Sequence, residues 1–388
     1  MNAKIISTHL KWFLTLTVVL ALNHTLFTFE LHVITDPKPT TTEKKILLLE
    51  EVQTIGENLG NNQYMFSPMS VTVDKSNLFV YDKSQAKVFR FSLDLKLSGT
   101  FGRKGQGPCE FFGTGMRGHV FINIGRDGNL YANDIHARRW LVFDRMGKPI
   151  KTVRYGNSFY VHKPVGDKNG NILSVSMKDG NIQVKNEKGE VLGQCKSESL
   201  HYSFLFEDPG KLYRQAFDRD SFAPEAHWQL TIDGKLLVYF AGASCLTVFN
   251  GRGNRYEYEK TIKLWPKQAL IIYKERYRRE KEENKARSVG KKYSLRSNFF
   301  MSMFGRLIID RDNKDVFYLQ QGVDRVEQKV SAIVYAFNVS GQLLRVVRIP
   351  MNPNQEEPSP INIDAKINNI FYGTRSTGEV VLFKEKKK

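Results

Sequence analysis

Gly99-Thr-Phe-Gly-Arg-Lys-Gly-Gln-Gly-Pro-Cys-Glu-Phe-Phe112 decides how the chain is read. Four glycines and a proline exclude a helix or a central strand there. Gly99, Gly102, Gly105 and Gly107 suit tight turns and present backbone N–H groups. On each side lies the same pattern. Upstream, Ser67–Asp74 alternates and ends in Asp, followed by Asn77–Asp82, Ala86–Phe91 and Leu95–Phe101. Downstream come Val120–Asp127, Gly128–Asp134, Arg139–Asp144 and Gly147–Val153. Asp74 aligns with Asp127, Asp82 with Asp134 and Phe91 with Phe143. The glycine-rich stretch therefore connects two copies of one four-stranded unit, and period-2 patterning agrees with turn chemistry in both.

Weaker copies follow. Gly166–Val175 with Gly180–Gly189 makes a third, and Trp228–Phe240 with Cys245–Gly251 a fourth. Leu307–Leu319 with Ala332–Leu344 makes a fifth, and Ile361–Tyr372 with Glu379–Phe383 a sixth that lacks room for its last strand. Lys45–Gln53, ahead of the first copy, is a spare strand able to complete the sixth sheet and close a ring. The expected fold is all-β: a six-bladed β-propeller of four-stranded antiparallel blades. A single blade exposes apolar faces and sheet edges, and packing in a ring covers both.

The string Phe101-Gly-Arg-Lys-Gly-Gln-Gly-Pro-Cys-Glu-Phe111, with Gly128–Asp134 and Leu141–Asp144, resembles the NHL-repeat propellers. More narrowly it resembles the exported six-bladed propeller proteins of Bacteroides-type bacteria, whose usual string is close to F-G-x-x-G-x-G-P-G-E-F. Cys109 stands here where that glycine is usual. The likeness covers residues 67–155 by motif and the rest by strand rhythm. It implies the fold more firmly than any activity.

Before the repeats, Lys4 and Lys11 precede the apolar run Trp12–Leu22, and apolar character resumes at Leu26–Phe29. Residues 1–31 read as a signal peptide or membrane-anchor helix, 32–44 as a linker and 45–388 as the propeller domain. Export to the periplasm or a membrane-anchored place in the cell envelope follows. Residues 265–292 break the strand rhythm and read as a helical insertion. Pro266 stands at its first turn, and Glu275/Arg279 and Glu283/Arg287 are acid-before-base pairs. Residues 196–226 are a long aromatic-rich segment between strands.

The net charge is +18 over 388 residues, which favours acidic partners. Nucleic acid conflicts with the export signal. The three cysteines, Cys109, Cys195 and Cys245, form no CxxC pair, so no zinc site is expected. No HExxH, GxSxG or P-loop motif is present. Asp74, Asp127 and Asp310 recur before a turn. They suit either a ring of carboxylates for cations or Asx turns, and the Gly or Asn that follows favours the turn. Arg103 and Lys104, with the N–H groups of Gly105 and Gly107, are the candidate ligand-binding residues, arranged to meet an anion. The sequon Asn338-Val-Ser340 matters only in a eukaryotic secretory host.

The expected function is a monomeric, non-enzymatic scaffold that binds a protein, peptide or glycan on one propeller face, without cofactor or metal. The alternative is a metal-dependent propeller lyase or hydrolase with a central-channel site built by histidines such as His119, His136, His162, His201 and His227. The NHL resemblance implies that such a lyase class exists.

Overall fold

The computed structural model describes residues 46–60, 62–112, 120–154, 158–159, 163–176, 182–195, 226–240, 245–272, 305–321, 330–350, 361–375 and 377–386, with helical positions 275, 278 and 282. The apolar leader 1–31, the linker 32–44 and the aromatic segment 196–225 lie outside them. Among the described residues no helix is long and apolar enough to cross a membrane.

The chain opens with β1 (Ile46–Ile55) and a short hairpin, β2 (Asn58–Gly60) and β3 (Gln63–Tyr64). Four separate four-stranded antiparallel sheets follow. The first holds β4 (Pro68–Val73), β5 (Asn77–Asp82), β6 (Lys87–Ser92) and β7 (Leu97–Phe101). The second holds β8 (Val120–Ile124), β9 (Leu130–Asp134), β10 (Arg139–Phe143) and β11 (Pro149–Arg154). The third holds β12 (Ser158–Phe159), β13 (Ile172–Ser176), β14 (Ile182–Lys185) and β15 (Val191–Cys195). The fourth holds β16 (Ala226–Leu230), β17 (Leu236–Phe240), β18 (Cys245–Arg252) and β19 (Arg255–Lys263). An eight-stranded sheet completes the fold. Its first half is β20 (Arg306–Ile309), β21 (Val316–Gln321), β22 (Val330–Asn338) and β23 (Leu343–Pro350). Its second half is β24 (Ile361–Ile367), β25 (Ile370–Arg375), β26 (Val380–Glu385) and β1.

β1 joins the two halves. Leu49–Ile55 runs antiparallel to β26, and Ile46–Leu48 runs parallel to Val346–Arg348 of β23. Arg375 reaches across to pair with Glu51. The first strand of the domain thus supplies the outermost strand that the C-terminal three lack.

Apolar side chains gather between neighbouring sheets. Phe79 and Tyr81 of the first sheet pack with Phe111, Val120 and Leu141 toward the second. Tyr131, Trp140 and Val153 meet Ile172 of the third. Tyr239 and Leu246 of the fourth join Leu307, Phe317 and Tyr335. Ile308 and Tyr318 join Leu49, Phe371 and Val381. Ile55, Tyr372 and Leu382 close back on Val71, Val80 and Phe89 of the first. Between the third and fourth sheets the approach is backbone to backbone: a Cβ added at Gly193 would lie 1.8 Å from the Asn254 carbonyl oxygen. Each sheet is covered by the next around a common axis, and this is the arrangement of a β-propeller.

After β19 the chain turns helical at 267–272, and positions 275, 278 and 282 continue the helix. Ala269, Leu270 and Ile272 are buried, whereas Ile271 is exposed. A further pairing joins neighbouring turns of the helix. Arg278 bridges Glu275 at 2.7 Å and Glu282 at 3.1 Å. Arg279, Glu283 and Arg287 lie outside the described residues.

Gly193→Ala forces the third and fourth sheets apart. It should cost about 1–3 kcal/mol, as overpacking does. A chemical-denaturation series on the folded chain reads this directly.

Candidate functional site

The sheet order divides the molecule into two faces. Within each sheet four antiparallel strands run out and back, so the chain enters and leaves on one face. We call this the loop face, because connections such as 102–119, 196–225 and 264–305 depart from it and return to it. The opposite turn face carries the links between the first and second and between the third and fourth strands, and these are tight.

Tight turns need the backbone N–H groups satisfied, and one carboxylate does this in several copies. Asp74 Oδ1 accepts from the Ser76 and Asn77 N–H groups, both at 2.7 Å. Asp127 accepts from the Asn129 N–H at 3.1 Å and the Tyr131 hydroxyl at 2.7 Å. Asp310 accepts from the Asp312 N–H at 2.9 Å and the Tyr318 hydroxyl at 2.9 Å. Asp167, overlooked in the sequence, does the same for Asn169 at 2.7 Å and Asn171 at 2.9 Å. These are Asx turns. Burial first, then the neighbouring carboxylate, pushes the Tyr131 and Tyr318 phenols up. On the loop face Asp82 and Asp134 share a second role. Asp82 accepts from the Phe66 N–H at 2.6 Å and Asp134 from the Phe112 N–H at 2.8 Å, each anchoring an incoming connection.

The glycine-rich loop is built around a buried cation. Arg139, at the start of β10, is only 4 % exposed. Its guanidinium donates to the carbonyls of Gln106 at 2.9 Å, Gly107 at 3.1 Å and Gly105 at 3.3 Å, and to that of Glu110. Asp134 pairs with it at 3.4 Å. Gly102 sits at φ +82°, and its missing Cβ leaves room for the Phe111 ring. Cys109 adopts a left-handed backbone conformation, at φ 57°. Its N–H donates to Thr152 Oγ1 at 3.0 Å.

This geometry fixes where the four sequence candidates stand. The Gly105 N–H donates to the Phe111 carbonyl at 2.9 Å. The Gly107 N–H donates to Glu110 Oε2 at 2.8 Å, and exposed Arg103 pairs with Glu110 Oε1 at 2.6 Å. Lys104 forms a backbone bridge with Phe111. The Gly107 N–H, then Arg103, holds the Glu110 carboxyl below the usual range. The loop therefore grips an anion of its own, and an incoming one would have to displace Glu110.

The polar residues that the sequence did not single out lie on the axis. A β-bulge between Ile363 and Ala365 turns Asp364 inward from β24. Lys163 donates to Asp364 Oδ1 at 3.2 Å and to its carbonyl at 2.8 Å, and Arg306 pairs with the same Oδ1. Toward the turn face, Asn123 of β8 donates to the Pro164 carbonyl at 3.1 Å and to Gln229 Oε1 of β16 at 3.3 Å. Arg311 Nη2 crosses from the eight-stranded sheet to Asn123 Oδ1 at 3.0 Å and the Ile124 carbonyl at 3.3 Å. Lys366 closes a separate pair with Asp310 and Asp312, both at 3.0 Å.

Burial holds the Lys163 ammonium below the usual lysine range; the Asp364 charge opposes this, while Arg306 and Arg311 add to it. Burial likewise pushes the Arg311 guanidinium down to about 10, against the pull of Asp74. His136 lies against Phe112, with ring centres 4.9 Å apart, and His227 lies on β16 facing Tyr239. His119, His162 and His201 fall outside the described residues. Among the described residues no three His, Cys, Asp or Glu side chains gather as metal ligands. Cys109 is a free thiol, and burial pushes the Cys245 thiol up to about 12.

No family model and no curated protein matches the chain. Solved structures with similar architecture include a protein described as exported from Bacteroides fragilis, at 10% identity and TM-score 0.46, covering 88% of this chain and 100% of that one. Virginiamycin B lyase from Staphylococcus aureus matches at 10% identity and TM-score 0.44, covering 87% and 98%. The β-propeller domain of Cps50 (Swd1) from Myceliophteria thermophila matches at 10% identity and TM-score 0.42, covering 82% of each.

Arg139→Lys keeps the charge but removes the planar fork that serves four carbonyls. We expect a loss of about 3 kcal/mol, as when a buried charged network is broken. Proteolysis within 102–112 should accelerate in parallel, read by mass spectrometry of limited digests.

Proposed function

We propose that the chain is an exported, six-bladed propeller of the NHL-repeat-like type that acts as a monomeric binding scaffold. Its domain runs from 45 to 388, behind a signal or anchor at 1–31 and a linker at 32–44. Its partner is a protein, peptide or glycan held on the loop face, and the leader brings the domain to the periplasm or the outer side of a membrane.

One observation carries this reading: the two faces differ in kind. The turn face repeats short turns whose carboxylates are spent on backbone N–H groups. The strand ends that bound the longest connections lie on the loop face, and function concentrates on such segments over a rigid frame. It also carries exposed Arg103 and the cationic helix with Arg278. Six sets of four strands, counting β1 as the last, support the blade count.

The test is direct binding of the full chain to immobilised acidic peptides and to sulfated and uronate-bearing glycans, with metal content measured on the same sample. We expect saturable binding that falls roughly tenfold when Arg103 and Arg278 become Glu, since each reversal removes attraction and adds repulsion. The turn-face changes Lys75→Glu and Lys188→Glu should leave it unchanged. Stoichiometric zinc or calcium accompanied by turnover of a bound glycan or peptide would establish the lyase or hydrolase reading instead.

A further inference from the structure

We propose that the propeller axis holds a binding site for a single phosphate or sulfate group, made by Lys163, Arg306 and Arg311 with Asp364 and Asn123. The site does not depend on what the loop face binds.

The charges carry the argument. Three cations converge on the axis from two different sheets, and two of them share one carboxylate. Asp364 serves Lys163 and Arg306 through the same oxygen, Oδ1. Arg311 has only neutral acceptors, Asn123 Oδ1 and the Ile124 carbonyl, both taken from Nη2. Among the described residues, the Arg311 guanidinium makes no further hydrogen bond. Asn123 ties Arg311 to the lysine, because its amide donates to the Pro164 carbonyl next to Lys163. Three positive charges meet the Asp364 carboxylate and the pull of Asp74, which Arg145 shares at 3.7 Å, so positive charge stays in excess where Asp364 is 1 % exposed, Lys163 13 % and Arg306 25 %.

Such a surplus is costly when partly desolvated, and an anion of matching charge relieves it. An arginine fork with a lysine beside it suits the tetrahedral oxygens of phosphate or sulfate, which accept several charge-assisted hydrogen bonds at once. Arg306 and Arg311 both oppose the charge of the Lys163 ammonium. By contrast Lys366 is neutralised by Asp310 and Asp312 and takes no part.

The test titrates inorganic phosphate and inorganic sulfate into the full chain at constant ionic strength, by calorimetry. One ion per chain should bind saturably. Arg311→Gln and Lys163→Gln should each weaken it roughly tenfold or more, the loss of a charge-assisted contact. Asp364→Asn, which raises the local charge, should tighten it, and Arg103→Gln on the loop face should not alter it. Hydrogen exchange on the unmodified chain locates the site without substitutions: phosphate should slow amides within 163–167 and 306–311. A sugar phosphate that binds more tightly than inorganic phosphate would identify the group as part of a larger ligand, and equal binding would identify the free ion. The proposal is overturned if neither ion saturates the protein below about 10 mM, a threshold of weak binding. It is equally overturned if both channel variants bind as the native chain does, or if the slowed amides lie elsewhere.

Discussion

The whole assembly depends on one pairing, that of β1 with the two strands at the end of the chain. Without it, β26 ends the second half of the eight-stranded sheet with a bare row of N–H and C=O groups, and β23 lies unjoined to it. Bare edges are open to pairing with other chains, and ring closure removes them. The sequence of β1 fits an outermost strand. Leu49 and Ile55 are buried, while Glu50, Glu51 and Gln53 face water. Glu51 also reaches Arg375, tying the edge to its neighbour but one. Because the partners lie at opposite ends of the chain, closure fixes every sheet in between.

Closure also sorts the polar residues. Facing sheets bury broad apolar surfaces, so polar groups survive at three places: the turn face, the loop face and the axis. At the turn face, carboxylates cap backbone. At the loop face, Asp82, Asp134 and Arg139 hold the connections in place. At the axis, where strands converge too tightly for large apolar side chains, Thr72, Asn123 and Gln229 link separate sheets through hydrogen bonds.

Much of the framework was legible because it repeats. Asp74 and Asp127 align in sequence and make the same bonds, as do Asp82 and Asp134. Lys45–Gln53 was readable as a spare strand from pattern alone, and the structure seats it against β26. The site was less legible, for physical reasons. Arg139 looks like any surface cation until folding wraps the carbonyls of 105–110 around it. The donors of the glycine-rich loop looked free, yet Glu110 stands three residues after Gly107, the spacing at which a side chain caps a turn. Asp364 breaks strand alternation only because of a bulge, which local pattern does not announce.

The most direct measurement of the central claim is complementation in trans. A chain beginning at Gly56 is mixed with a synthetic peptide of residues 45–55, and thermal unfolding is followed with and without it. The account predicts a chain that melts early and self-associates alone, and that regains a single cooperative, high-temperature transition when the peptide binds. A shortened chain that melts as the intact protein does, indifferent to the peptide, would contradict it.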